Sequence, residues 1–340
     1  MVYVHIPFCG SFCTYCDFYS EILCQGRDAL RFTDEVCAEI AARSEEIKST
    51  EKVNTLYMGG GTPSVLPLSC LARIASAVRD AVSSEFTEFT VEVNPDDIVS
   101  GGTGYASGLK AAGVSRVSMG VQSLDDGMLG WMNRRHSARE AVEAYGILRE
   151  AGFDNISLDV IFGISHMTER MLEDTLKGLT ALNPEHISAY QLSIEEGSSL
   201  SEMIAAGRYA EASEEQCRRQ YALVCSMLKE AGYVHYEISN WARPGFEAVH
   251  NSAYWSRAPY VGVGPAAHSL RIEDGRQVRS WNSSVRTGWK SAGETLSGEE
   301  IREEEIMLGL RTAGGWNGRR LTEDEWFVSD AIISDILAQS

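Results

Sequence analysis

Runs of apolar, β-branched and aromatic residues recur along the chain at Val2–Ile6, 53–58, 89–93, 116–119, Ile156–Phe162 and 186–192. Longer amphipathic stretches separate them: 33–43, where Val36, Cys37, Ile40 and Ala41 share a face, then 68–83, 138–151 and Glu169–Leu182. Several of these stop at glycine, as at Ala112-Gly113 and Ala151-Gly152. Strands joined by crossovers of this length pair in parallel, so the pattern predicts an α/β fold: a partial, TIM-like (β/α)6 barrel over residues 1–195.

The alternation fades beyond residue 195. A charged helix is expected over 210–231, an aromatic strand-like piece over 233–241, and Gly/Pro/aromatic loop over 242–269. Residues 196–269 read as an extension of the barrel. Residues 270–340, with Trp281, Trp316, Trp326 and an acidic helix from about Ser297, read as a small C-terminal α+β region. The sequence carries neither an internal repeat nor a low-complexity tract.

Composition narrows the function classes. With 44% hydrophobic and 23% charged residues in 340, the chain can bury a core. A net charge of −18 disfavours nucleic acid and anionic membrane surfaces as partners. No window reaches the roughly 18–20 apolar residues of a membrane span, and residues 1–8 lack the basic flank of a targeting peptide. A soluble protein of a reducing compartment, the cytoplasm, is expected.

The eight cysteines change the picture most. Cys9, Cys13 and Cys16 form a C-x3-C-x2-C cluster, whereas Cys24, Cys37, Cys70, Cys217 and Cys225 are scattered and read as packing residues. Clustered thiolates suit zinc or an iron–sulfur centre. A structural zinc wants four ligands, and the candidate for the fourth is His5, four residues before Cys9 in a strand. A cubane held by three cysteines leaves one iron open to chelate a small molecule bearing an amine beside a carboxylate. Incidental thiols are the third reading.

Further polar groups sit at strand ends: Gly59-Gly60-Gly61-Thr62-Pro63 after the second strand, Glu92 after the third, Gln122 after the fourth, then Arg134, with Asp159 in the fifth. Glycines let backbone approach a ligand closely, and polar groups at successive C-terminal strand ends converge on a barrel mouth. The bland alternatives are a tight turn and solvated loop charges.

At this spacing the cysteine loop, followed by the glycine triplet, resembles the radical S-adenosylmethionine (SAM) superfamily. The resemblance implies a [4Fe–4S] cluster on Cys9, Cys13 and Cys16, with SAM on the open iron as the source of a 5′-deoxyadenosyl radical. Tyr3-Val-His5-Ile-Pro7-Phe-Cys9, Gly120-Val-Gln122-Ser and His186-Ile-Ser-Ala189-Tyr resemble one branch of it over about residues 2–312. That branch contains the oxygen-independent coproporphyrinogen III oxidases and the HemW-type haem chaperones. Carried over by position, it implies Tyr3, Gly60, Glu92 and Ala189 around SAM. It also implies Tyr15, Gly61, Thr62, Gln122, Arg134 and Asp159 around a second SAM position.

Two features favour the chaperone side. Cys16 is followed by Asp17-Phe18 where the oxidases have Gly-Cys, and His250-Asn251-Ser252-Ala253-Tyr254-Trp255 resembles the chaperones' haem-binding motif. His250 is then the expected axial ligand of haem, while His5, His136, His166, His186, His235 and His268 read as structural. The implied function is delivery of haem to apo-haemoproteins, membrane-associated respiratory ones among them, by a chain that forms homodimers. The alternatives are oxidative decarboxylation of coproporphyrinogen III and another radical SAM reaction such as methyl transfer or haem ring opening. Against the family pattern, the region after Gly309-Leu-Arg-Thr312 looks shortened.

Overall fold

Six parallel strands lie side by side in chain order: β1 (Val2–Ile6), β2 (Thr55–Gly60), β3 (Glu88–Val93), β4 (Arg116–Gln122), β5 (Ile156–Phe162) and β6 (His186–Gln191). They are seen in a computed structural model that describes residues 1–24, 26–50 and 54–338. The start of the expected second strand, at residue 53, falls outside the described residues. Crossover helices are α1 (Gly26–Ala42), α2 (Leu68–Ala81), α3 (Pro95–Ala111), α4 (Ala138–Glu150) and α5 (Glu169–Leu182). α4 opens on a capping box between Ser137 and Glu140. The chain leaves α3 and α4 through Gly113 and Gly152 at φ 92° and 85°, a left-handed conformation that glycine adopts without strain.

Period-two alternation separates the two faces of this sheet. Leu56, Met58, Phe89, Val91, Val117, Met119, Leu158 and Val160 are buried together with Phe32, Val36, Ile40, Leu71, Ile74 and Val78 from the helices. The intervening positions, among them Tyr57, Glu92, Ser118, Asp159 and Ser188, line a cavity inside the curved sheet. The barrel thus has an apolar shell and a polar lumen.

The segment 196–269 completes the sheet. After α6 (Glu214–Glu230), the expected single strand over 233–241 is two, β7 (Val234–Glu237) and β8 (Asn240–Ala242), and β8 pairs antiparallel with β6. The stretch expected to be loop from 242 to 269 contains a helix, α7 (Val249–Trp255), and a strand, β9 (Val261–Val263), which pairs in parallel with β1. The helix has no side-chain cap of its own. Instead the Glu88 carboxylate accepts from the backbone N–H groups of Val249 and His250, at 2.9 and 3.0 Å, an arrangement invisible to local pattern. The sheet order is β9-β1-β2-β3-β4-β5-β6-β8-β7, open at both ends.

β10 (His268–Glu273), β11 (Arg276–Asn282) and β12 (Ser291–Thr295) form an antiparallel sheet, followed by α8 (Gly298–Leu310), α9 (Glu323–Phe327) and α10 (Ser329–Leu337). Trp326 anchors this end: its indole N–H donates to the Leu310 carbonyl at 2.9 Å, and its ring meets His235 edge-on at 4.4 Å. Cys70, Cys217 and Cys225 are buried and Cys37 is half-buried, as packing residues should be, but Cys24 is exposed. No helix among the described residues is long and apolar enough to cross a membrane.

Glu237, buried at the end of β7, gives the fold a readable pH response. It accepts hydrogen bonds from the Asn240 amide and the Ser239 N–H, yet burial raises its pKa to about 7. The native state therefore keeps a proton that the unfolded chain releases near pH 4.5, and the stability this gives is lost as pH rises through 7. Glu237→Gln removes that loss. Its stability relative to the parent should rise by roughly 3 kcal/mol between pH 4.5 and 8, read from urea midpoints at the two pH values. A constant difference would show that Glu237 is ionised when folded.

Candidate functional site

The cysteine loop hangs from the end of β1. Phe8–Cys9 pairs in parallel with Glu21–Ile22, closing the loop at its base. Its tip is tied to the segment after β4: Thr14 donates through its N–H to the Met132 carbonyl at 3.1 Å and through its hydroxyl to the Trp131 carbonyl at 2.9 Å. The Asn133 amide donates to the Phe12 carbonyl at 2.6 Å. Cys9, Cys13 and Cys16 face one cavity of about 640 Å3 that runs from this loop into the lumen.

Burial pushes the Cys9 thiol up and Cys16 to about 11, so both are protonated until a metal displaces the proton. Charge and hydrogen-bond support for thiolates is in place. The Thr62 hydroxyl lies 3.6 Å from the Cys9 Sγ, and the Arg134 guanidinium donates to the Cys13 Sγ at 3.4 Å. Among the described residues no three His, Cys, Asp or Glu side chains converge on a point as a single ion requires. A cubane takes its thiolates at separate corners, and three thiols spread over one wall fit that demand.

The strand ends supply the rest of the mouth. Gly60 sits at φ 110°, and a Cβ there would lie 2.5 Å from the His5 ring; one on Gly61 would lie 2.7 Å from the Phe8 carbonyl oxygen. A Cβ on Gly59 would lie 2.6 Å from the Tyr57 ring, so all three glycines are required by backbone and ring contacts. The Glu92 carboxylate accepts from the Tyr57 hydroxyl at 2.6 Å and the Gly60 N–H at 3.1 Å, while burial raises its pKa to about 7. Gln122 closes β4 in a left-handed conformation, φ 66°, at a break in the β4–β5 register. Its Oε1 is buried without a partner, and the residue lines the cavity. An orphaned acceptor at a strained position is what a bound ligand with a donor would satisfy.

Arg134 bridges the Asn94 side chain at 2.6 Å, the Gly120 carbonyl at 2.7 Å and Cys13. Asp159 lies deeper, its hydroxyl donors Ser118 and Ser157 at 3.1 and 3.3 Å, and burial raises its pKa. Tyr15 and Thr62 complete the expected set on this wall.

Two expected residues do not line the first cavity. Ala189 falls on the helix-facing side of β6 with Ile187, because alternation turns Ser188 and Tyr190 inward; it can serve a ligand only through its backbone. Tyr3 lies on a second cavity, its hydroxyl 3.0 Å from the His5 Nδ1. Arg116, at the start of β4, was not anticipated. It is buried at the inner end of the first cavity, its Nε without a partner, with Glu88 and Asp159 as its nearest counter-charges. The signal available was a lone arginine heading an otherwise apolar strand.

The expected haem ligand does not fit its role as it stands. His250 is 1% exposed, its Nδ1 lies 2.8 Å from the Thr55 hydroxyl and its Nε2 3.1 Å from the Tyr254 hydroxyl. Burial holds its pKa near 3. Neither nitrogen is free for iron. Its helical neighbours do reach open space: Asn251 lines the first cavity and Tyr254 the second.

Residues 3–179, just over half of the chain, match the family model of the radical SAM superfamily. The HemW heme chaperone of Lactococcus lactis is 33% identical over 318 residues, spanning 92% of this chain and 82% of its own. That of Bacillus subtilis is 32% identical over 344 residues, spanning 98% and 89%. The chain belongs to the HemW family of radical SAM proteins. A [4Fe–4S] cluster and SAM are the cofactors of that superfamily, and the three thiols, the glycine cradle and the unpartnered Gln122 fit them. A mitochondrial radical S-adenosyl methionine domain-containing protein 1 from Bos taurus is 33% identical over 342 residues, spanning 96% of this chain and 75% of its own. Among solved structures, coproporphyrinogen III oxidase (HemN) from Escherichia coli superposes with a TM-score of 0.76 at 22% identity, over 92% of this chain and 75% of that one. At that identity the likeness speaks for the fold alone.

Proposed function

We propose that this chain binds haem and hands it to apo-haemoproteins, using a radical SAM barrel as its frame. The observation that carries the reading is near-full-length similarity to proteins named as heme chaperones. The Cys16-Asp17-Phe18 ending and the sequence motif His250-Asn251-Ser252-Ala253-Tyr254-Trp255 agree with it. In this reading Cys9, Cys13 and Cys16 hold the cluster, and Gly60 and Glu92 meet the SAM amino group. Gly61, Thr62, Tyr15, Gln122, Arg134 and Asp159 line the remaining space, which suits a second SAM. The cluster supplies low-potential electrons to SAM when both are bound. The proposed setting is the cytoplasm, the proposed assembly a homodimer, and the proposed recipients include membrane-associated respiratory enzymes, reached by specific docking because the −18 charge gives no general attraction to anionic lipid.

The test is anaerobic reconstitution with iron and sulfide, haem titration, and mixing of the haem-loaded chain with an apo-cytochrome. Transfer of haem, seen as the recipient's spectrum appearing while the donor's fades, is the expected result. A parallel incubation with SAM, a reductant and coproporphyrinogen III should leave the porphyrinogen unchanged. Catalytic formation of protoporphyrinogen would overturn the chaperone reading in favour of the oxidase.

A further inference from the structure

We propose that the haem of this chain sits in the second cavity with His268 as its axial ligand, and that His250 is a positioning residue that holds Tyr254 in the cavity wall. This rests on the haem-binding reading above and assigns its site. The cavity, about 700 Å3, is of the size of ordinary ligand pockets. Tyr3, Phe18, Tyr254, Tyr260 and His268 are on its walls, offering flat aromatic surface to a planar macrocycle.

Elimination among the seven histidines leads to the same place. His5 faces this cavity too, but its Nδ1 is held by Tyr3 and its Nε2 by the Tyr19 carbonyl at 2.9 Å. His186 is buried between the Ser157 and Tyr236 hydroxyls, and His250 between Thr55 and Tyr254. His136 is bonded to the Val121 carbonyl at 3.0 Å, and His235 is stacked on Trp241 at 3.9 Å. His166 is exposed, but it packs edge-on against Trp131 and lines neither cavity. His268 alone is exposed and lines a cavity.

Its setting suits a ligand. The turn Gly264–Ala267, with Ala266 in a left-handed conformation at φ 57°, delivers His268 as the first residue of β10. Across the ladder it pairs with Trp281, whose ring lies nearly parallel to the imidazole, centroids 6.2 Å apart. Partial burial and the Arg279 guanidinium lower its pKa, keeping the imidazole neutral and able to coordinate. The six-residue motif then acts from behind: His250 fixes the Tyr254 hydroxyl, and the Tyr254 ring packs edge-on against Tyr260 at 4.7 Å to build the wall.

The experiment titrates haem into the reconstituted chain and its variants and records absorption and electron paramagnetic resonance spectra. His268→Ala should lose the imidazole-ligated signature and bind at least about tenfold more weakly, and free imidazole should restore the signature. His250→Ala should keep the signature while binding roughly tenfold more weakly. Because a buried histidine can be needed for folding, Tyr254→Phe, which removes only the hydroxyl His250 holds, should behave as His250→Ala does. An unchanged signature in His268→Ala, or its loss in Tyr254→Phe, overturns the assignment while leaving haem binding intact. Absence of haem uptake by the unmodified chain overturns the chaperone reading and this assignment with it.

Discussion

Cys13→Ser should leave the reconstituted chain without its cluster: iron and sulfide content fall to background and the visible absorbance of the centre disappears, with the fold retained by circular dichroism. The serine hydroxyl has far too high a pKa to replace a thiolate, and two cysteines cannot hold three corners of a cubane. Cys13 is the sensitive choice because the Arg134 guanidinium that approaches its sulfur also bridges the Asn94 side chain and the Gly120 carbonyl. The loss should therefore reach SAM binding as well, measured by equilibrium dialysis. Retained cluster absorbance in this variant would contradict the three-cysteine assignment.

Phe32→Ala should have the largest effect on stability, a loss of about 3–5 kcal/mol. Phe32 is 1% exposed on α1, meets Phe8 edge-on at 5.2 Å, and lies 6.1 Å from the Trp289 ring. It therefore joins the strand that launches the cysteine loop to the C-terminal segment. Urea unfolding should show a lower midpoint at unchanged slope. A loss below about 1 kcal/mol would mean that the site collapses around the vacancy. Since Phe8 directly precedes Cys9, the same variant should also lose its cluster faster under a chelator.

The contrast between what local pattern revealed and what it hid follows from the range of the interactions. The βα alternation was readable because each strand carries its own period-two signal, and the three cysteines because their spacing lies within eight residues. Glu92 and Gln122 were readable as strand ends. Helix α7 was not, because its N-terminal N–H groups are satisfied by Glu88, 161 residues away from Val249. The fate of His250 was hidden for the same reason: Thr55, which binds its Nδ1, is 195 residues away. Motif transfer carries Ala189 across by position but does not say which way its side chain faces, and here that is toward the helices. Arg116 was passed over because a charge at a strand start ordinarily points to solvent, and only a curved sheet turns it inward.

The two cavities have Gly60, Glu92, Asp17 and Phe18 in common. A molecule in one compartment thus rests against the back of the surface that the other compartment offers. With SAM proposed on one side and haem on the other, whatever factor SAM imposes on haem affinity must be returned unchanged by haem on SAM affinity. In a chaperone built as proposed, that factor passes through the two carboxylates, Glu92 and Asp17, that both compartments share.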